Sequence, residues 1–188
     1  MLNESATFTP QDVRTSADVR AEVQSRLPEA SEATVNTLLT EIYPDVLDGS
    51  QPWETEFARI TQLGSEVFFA CITRYLAVAK GNATHNYLFA VPPGFHADDV
   101  AYVFFNGDTS TRDDGLPVHV DLATALQDYI VAFVKTGNPN TSSLPNFPVY
   151  GDEGIVLKFA EAGITAQVDD LKNGRCEWLQ QAIVDRLL

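Results

Sequence analysis

Apolar residues recur at helical spacing in several stretches of the chain and gather into short unbroken runs in two others. Val19, Val23 and Leu27, spaced by four, predict a helix over Ser16–Leu27 that Pro28 breaks. After Ser31, the positions Val35, Leu38, Leu39 and Ile42 predict a second helix ending before Pro44. Between Trp53 and Ala79, Phe57, Ile60, Leu63, Val67, Phe68, Cys71, Ile72, Tyr75 and Leu76 hold one helical face, with Gly64 the expected point of division. Lys80-Gly81-Asn82 supplies its stop. Asn86–Val91 is the clearest strand, and its near-continuous apolar character suits a strand covered on both faces. Beyond Pro92-Pro93, Asp98 or Asp99 is expected to start a short helix and place a carboxylate at its positive end. Asp121–Thr136 predicts a helix with Leu122, Ala125, Leu126, Tyr129, Ile130 and Phe133 inward, ended by Gly137 and Pro139. Ile155–Phe159 reads as a second strand and Asp170–Leu188 as a terminal helix. Two strands cannot make the sheet that a doubly covered strand requires. The pattern therefore describes an incomplete α/β architecture, mostly helices with few strands, in one domain over residues 1–188.

Composition narrows the function classes. The 188 residues hold 26 acids and 12 bases, for a formal net charge of -14, and the first 56 residues alone hold 11 acids and 3 bases. No basic stripe exists to follow a phosphate backbone, so nucleic acid is excluded as a partner, and anionic membrane surfaces are disfavoured. No apolar run approaches the ~20 residues of a transmembrane helix. The opening segment, MLNESATFTP, lacks the basic flank and apolar core of a signal peptide.

Candidate chemistry centres on one of three histidines. His85 precedes a strand and His119 a helix, and both read as solvent-exposed or capping residues. His96 lies in the loop after the strand at Asn86–Val91. Loops beyond the carboxyl ends of parallel strands are where open α/β sheets place catalytic groups. An imidazole there suits a general base that returns its proton to a leaving group, given a carboxylate to orient it. Asp98 and Asp99 are near in sequence and Glu4 is distant. Neither Ser65 nor Ser110 sits in a nucleophile-elbow sequence. Cys71 and Cys176 have no metal-ligand spacing, and composition leaves open whether they are free thiols or a disulfide.

Four stretches carry a resemblance: Asn3-Glu4-Ser5-Ala6-Thr7-Phe8, Phe69-Ala70-Cys71, the run from Phe95-His96-Ala97-Asp98-Asp99 to Phe104, and Phe133-Val134-Lys135-Thr136-Gly137-Asn138-Pro139-Asn140. Through them the chain resembles the C-terminal part of the type-B carboxylesterase and lipase family, the cholinesterase-like α/β-hydrolases, especially fungal members. The resemblance implies an incomplete α/β-hydrolase fold and a carboxylic ester hydrolase acting on a small-molecule or lipid ester, without metal or organic cofactor. It implies Glu4 as the acid of the catalytic triad and His96 as its base, with Asp99 structural. Ser5 stands where the family usually has glycine. The family's G-x-S-x-G elbow does not occur in these residues, so the chain alone is expected to be inactive. The alternative is a non-catalytic cholinesterase-like interaction module or a degenerate homologue. The resemblance also implies a Cys71–Cys176 disulfide. N-x-[ST] sequences at Asn3, Asn82 and Asn140 fit a secreted, glycosylated parent, with Asn82 and Asn140 as candidate acceptors.

Overall fold

The structure, a computed structural model, describes residues 4–110 and 116–188. Asn3, the first of the three candidate acceptors, lies outside the described residues. A short 3₁₀ turn, Ala6–Phe8, precedes helices α1 (Ser16–Arg26), α2 (Glu32–Thr37), α3 (Glu56–Ser65) and α4 (Cys71–Ala79). Wider π-type turns continue α2 through Leu38–Ile42 and join α3 to α4 through Glu66–Ala70. Strand β1 (Tyr87–Phe89), helices α5 (Val100–Val103) and α6 (Val120–Thr136), strands β2 (Ile155–Ala160) and β3 (Gly163–Val168), and helix α7 (Gly174–Val184) complete the order.

Local hydrogen bonds explain where the helices start. Thr15 caps α1 in a reciprocal box: its hydroxyl accepts from the Asp18 N–H, and the Asp18 carboxylate accepts from the Thr15 N–H. The backbone N–H of Arg14, then the Thr15 groups, hold the Asp18 carboxyl below its ordinary range. Ser31, Thr55 and Asn173 cap α2, α3 and α7 through their side chains. At the end of α6, Gly137 takes φ +76° and its N–H donates to the Phe133 carbonyl at 2.7 Å. The terminal helix is shorter than Asp170–Leu188, because Asn173 sets its first residue at Gly174.

The described residues form two compact units, 76–170 and 4–75 with 171–188. In the first, β1 pairs in parallel with β2, and β2 pairs antiparallel with β3, in the order β1-β2-β3. Phe89, Tyr102, Leu126, Tyr129, Phe147 and Phe159 fill its core. Strand β3 has no counterpart in the apolar pattern because it is an edge strand with Thr165 and Ala166 exposed. Two inward assignments on α6 are corrected: Ile130 and Phe133 are 37% and 49% exposed. Only Leu122, Ala125, Leu126 and Tyr129 of the expected set are buried.

In the second unit, Val19, Val23, Val35, Leu38, Tyr43, Trp53, Ile60, Leu63 and Leu179 make the core. Gly64 does not divide the long helix. The chain remains helical through it and changes pitch at Glu66–Ala70. An i→i+5 turn advances the helical face differently from an α turn, so the sequence periodicity loses phase there. Phe68 and Ile72 are exposed as a result, and Glu66 is buried. No helix among the described residues is long and apolar enough to cross a membrane.

Candidate functional site

His96 occupies a tight turn between β1 and α5 and is exposed. The turn is held from both sides. The Asp98 carboxylate accepts the Phe95 N–H at 2.8 Å, and the Asp98 N–H donates to the Phe95 carbonyl at 3.1 Å. Ala97 takes φ +72°, a left-handed conformation that costs an L residue with a Cβ about 1–2 kcal/mol. Strain of this kind persists where surrounding bonds over-determine the backbone. Asp99 is the N-cap residue of α5, but its side chain makes no cap bond. Its carboxylate instead accepts the Tyr87 hydroxyl at 2.6 Å, tying the start of α5 to β1. The expected carboxylate at the helix end is therefore redirected: Asp98 closes the turn and Asp99 anchors it to the strand.

Glu4 belongs to the other unit, at the head of the Ala6–Phe8 turn. Its neighbour Ser5 is fully buried. The Ser5 N–H donates to Ser65 Oγ at 3.0 Å, and Ser5 Oγ donates to the Thr61 carbonyl at 2.7 Å. The Ser5 carbonyl accepts from the Phe8 N–H at 3.0 Å and from Thr9 Oγ1 at 2.9 Å. Arg26 of α1 donates through Nη2 to the Phe8 carbonyl at 2.6 Å.

Cys71 and Cys176 are joined as a disulfide with Cα atoms 5.4 Å apart, both fully buried, linking α4 to α7. Beside Cys176, Arg175 grips the buried Glu66 carboxylate with two bonds of 2.8 Å. The Tyr43 hydroxyl and Gln62 amide donate to the same carboxylate at 2.5 and 2.8 Å. The Arg175 guanidinium also lies over the Tyr43 and Trp53 rings, 5.9 and 5.8 Å from their centroids. Burial is the largest single influence on Glu66 and opposes its ionisation. The Arg175 and Tyr43 hydrogen bonds, the Arg175 charge and Gln62 outweigh it, so the carboxyl titrates below its ordinary range. Burial, followed by the Glu66 charge, pushes the Tyr43 phenol far up. In a second buried pair, Arg59–Glu56 at 2.9 Å, Arg59 also donates to the carbonyls of Leu39, within the π-type turn that follows α2, and Tyr43, just after it. These clusters fasten the helices together, and apolar periodicity could not show them, since Arg175 and Tyr43 reach Glu66 across 109 and 23 residues and Arg59 reaches the Tyr43 and Leu39 carbonyls across 16 and 20.

The remaining candidates are placed as follows. His85 is half-buried rather than solvent-exposed: its Nδ1 pairs with the Pro148 carbonyl at 2.8 Å, and its ring meets Phe133 and Phe147 edge-on. His119 holds the N-cap position of α6 without a side-chain cap bond, and its Nε2 lies 3.8 Å from Glu161. The Asn82 amide donates to Asp152 at 3.0 Å. The Asn140 amide donates to both Asn138 Oδ1 and the Phe147 carbonyl, and its oxygen accepts the Phe147 N–H. The Cys71–Cys176 pairing is formed within one unit, while Glu4 and His96 fall in different units. Sequence reasoning did not single out Tyr87 and weighed Ser65 only as a nucleophile outside an elbow sequence; the signal of each is a hydroxyl on an otherwise apolar or helical segment.

No family model matches the chain. Over 152 residues it is 37% identical to the carboxylesterase patB of Aspergillus clavatus, covering 80% of this chain and 26% of that protein. It is 31% identical over 179 residues to the carboxylesterase patB of Penicillium expansum, covering 95% of this chain and 31% of that protein. The chain thus spans about a quarter to a third of the length of these curated relatives. Its fold is similar to part of the crystal structure of Aspergillus niger EstA, with a TM-score of 0.76 and 19% identity over 99% of this chain and 39% of that one. The chain is thus similar in sequence to a part of two carboxylesterases and in fold to a part of EstA.

Proposed function

We propose that this chain is the C-terminal portion of a carboxylic ester hydrolase and supplies two members of its triad, His96 as general base and acid and Glu4 as the carboxylate that orients it. The observation that carries this reading is the exposed His96 on a braced turn in the segment that leads from the parallel strand β1 to α5. That location suits an imidazole that must reach a substrate while its backbone stays fixed. The likeness to two carboxylesterases supports an ester as substrate.

In this mechanism a serine attacks the acyl carbonyl as His96 takes its proton, and His96 then returns the proton to the departing alcohol. Water completes the cycle by the same route, with Glu4 stabilising the imidazolium. The serine and the backbone donors for the oxyanion come from a G-x-S-x-G segment and a glycine-rich loop that the 188 residues do not contain. Of the two acceptor asparagines, Asn82 suits a glycan better, since Asn140 uses its amide for two internal bonds.

The test is a comparison of residues 1–188 with a longer polypeptide of the same reading frame, using a short-chain activated ester. The short chain is expected to show negligible turnover, and the longer one to lose turnover in His96→Ala. A reading frame without the serine elbow, or turnover in the longer protein unaffected by His96→Ala, would overturn the proposal in favour of a non-catalytic module.

A further inference from the structure

We propose that Ser5, Ser65 and Gly64 form a clasp that positions Glu4, so that the carboxylate reaches its place through the backbone of the residue that follows it. This rests on the reading of Glu4 as the residue that orients His96. The geometry begins with a shared peptide plane. The Ser5 N–H belongs to the peptide that also carries the Glu4 carbonyl, so the 3.0 Å bond from that N–H to Ser65 Oγ fixes the plane on which Glu4 hangs. The Ser5 hydroxyl fastens the same residue to the Thr61 carbonyl at 2.7 Å, using the second lone pair of a helix acceptor. With the Ser5 carbonyl taken by Phe8 and Thr9, every polar atom of Ser5 is bonded.

Gly64 makes the approach possible. A Cβ at that position would lie 2.8 Å from Ser5 Oγ and 3.2 Å from Ser5 Cβ, closer than atoms of a well-packed interior tolerate. A glycine inside a helix costs about 1 kcal/mol relative to alanine. Here the absent side chain is what lets the Glu4 segment lie against α3. A three-residue 3₁₀ turn has little rigidity of its own, and ordering each backbone residue costs about 1–2 kcal/mol. The clasp therefore holds a segment that would otherwise wander, and the residue it holds most directly is Glu4.

The test has two readouts. The first is the fast backbone motion of the Glu4 amide from ¹⁵N relaxation in the 188-residue chain; the second is kcat and KM for a short-chain activated ester in a longer polypeptide of the same reading frame. Ser5→Ala and Ser65→Ala are each expected to raise Glu4 mobility and to lower kcat with KM unchanged. Glu4→Gln should lower kcat further than either serine variant. A core truncation elsewhere in the same unit, Leu179→Ala, should change stability and leave both readouts in place. A Glu4 amide as rigid in Ser5→Ala and Ser65→Ala as in the unaltered chain overturns the clasp. So does equal loosening in Leu179→Ala, which would make it a general effect of destabilisation. Loosening with kcat unchanged in Glu4→Gln instead overturns the pairing of Glu4 with His96 and leaves the clasp standing.

Discussion

Adding one methyl group at Gly64 sets helix propensity against packing, and the distances decide the sign. Alanine gains about 1 kcal/mol over glycine in a helix interior. Against that gain stands a Cβ placed 2.8 Å from Ser5 Oγ and 3.2 Å from both Ser5 Cβ and Arg26 Nη1. The arginine end can move. Ser5 cannot: its side chain is short, fully buried and bonded to the Thr61 carbonyl at 2.7 Å. Overpacking of a dense core costs about 1–3 kcal/mol, and a buried hydroxyl that loses its partner costs about 1–3 kcal/mol more. Gly64→Ala should therefore destabilise the unit by about 1–5 kcal/mol net. Trp53 and Trp178, the two tryptophans of the chain, both lie in this unit, so urea unfolding followed by fluorescence reads its midpoint directly. The same substitution in a Ser5→Gly background, where the obstructing side chain is gone, should be neutral or stabilising by up to about 1 kcal/mol. A Gly64→Ala midpoint above that of the unaltered chain, with Ser5 in place, would refute the argument from close approach.

Two further outcomes follow from the same unit. Replacing Cys71 and Cys176 by serine opens a loop with a sequence separation of 105, worth about 5 kcal/mol on the chain-entropy model; an unchanged urea midpoint for the double variant would contradict this. Glu66 binds its proton less readily in the folded state than in the unfolded chain, so the stability it contributes is complete above the ordinary glutamate value of 4.5 and is lost as the pH falls below it. The stability gap between the unaltered chain and Glu66→Gln should narrow as the pH is lowered from 6 to about 3, and a gap independent of pH would show that Glu66 carries no such linkage.

What the sequence determined by itself was local. The starts of α1, α2, α3 and α7 depend on Thr15, Ser31, Thr55 and Asn173, each bonding a backbone N–H three residues onward, and such signals lie within one helical turn. The position of His96 just beyond a strand was legible for the same reason, since the apolar run and the prolines that end it are contiguous. Tertiary structure decided the rest. Strand β3 exists because β2 offers it an antiparallel partner, and its own mixed side chains give no strong period. The buried face of the long helix changes where the pitch widens at Glu66–Ala70, which a fixed period cannot follow. Glu66 reads as an ordinary surface acid until Arg175 reaches it across a separation of 109 residues, and Ser5 acquires its two partners on α3 across 60 and 56. A buried polar group is stable only when its partner arrives in the same place, and for these residues that arrival is fixed by how the helices pack.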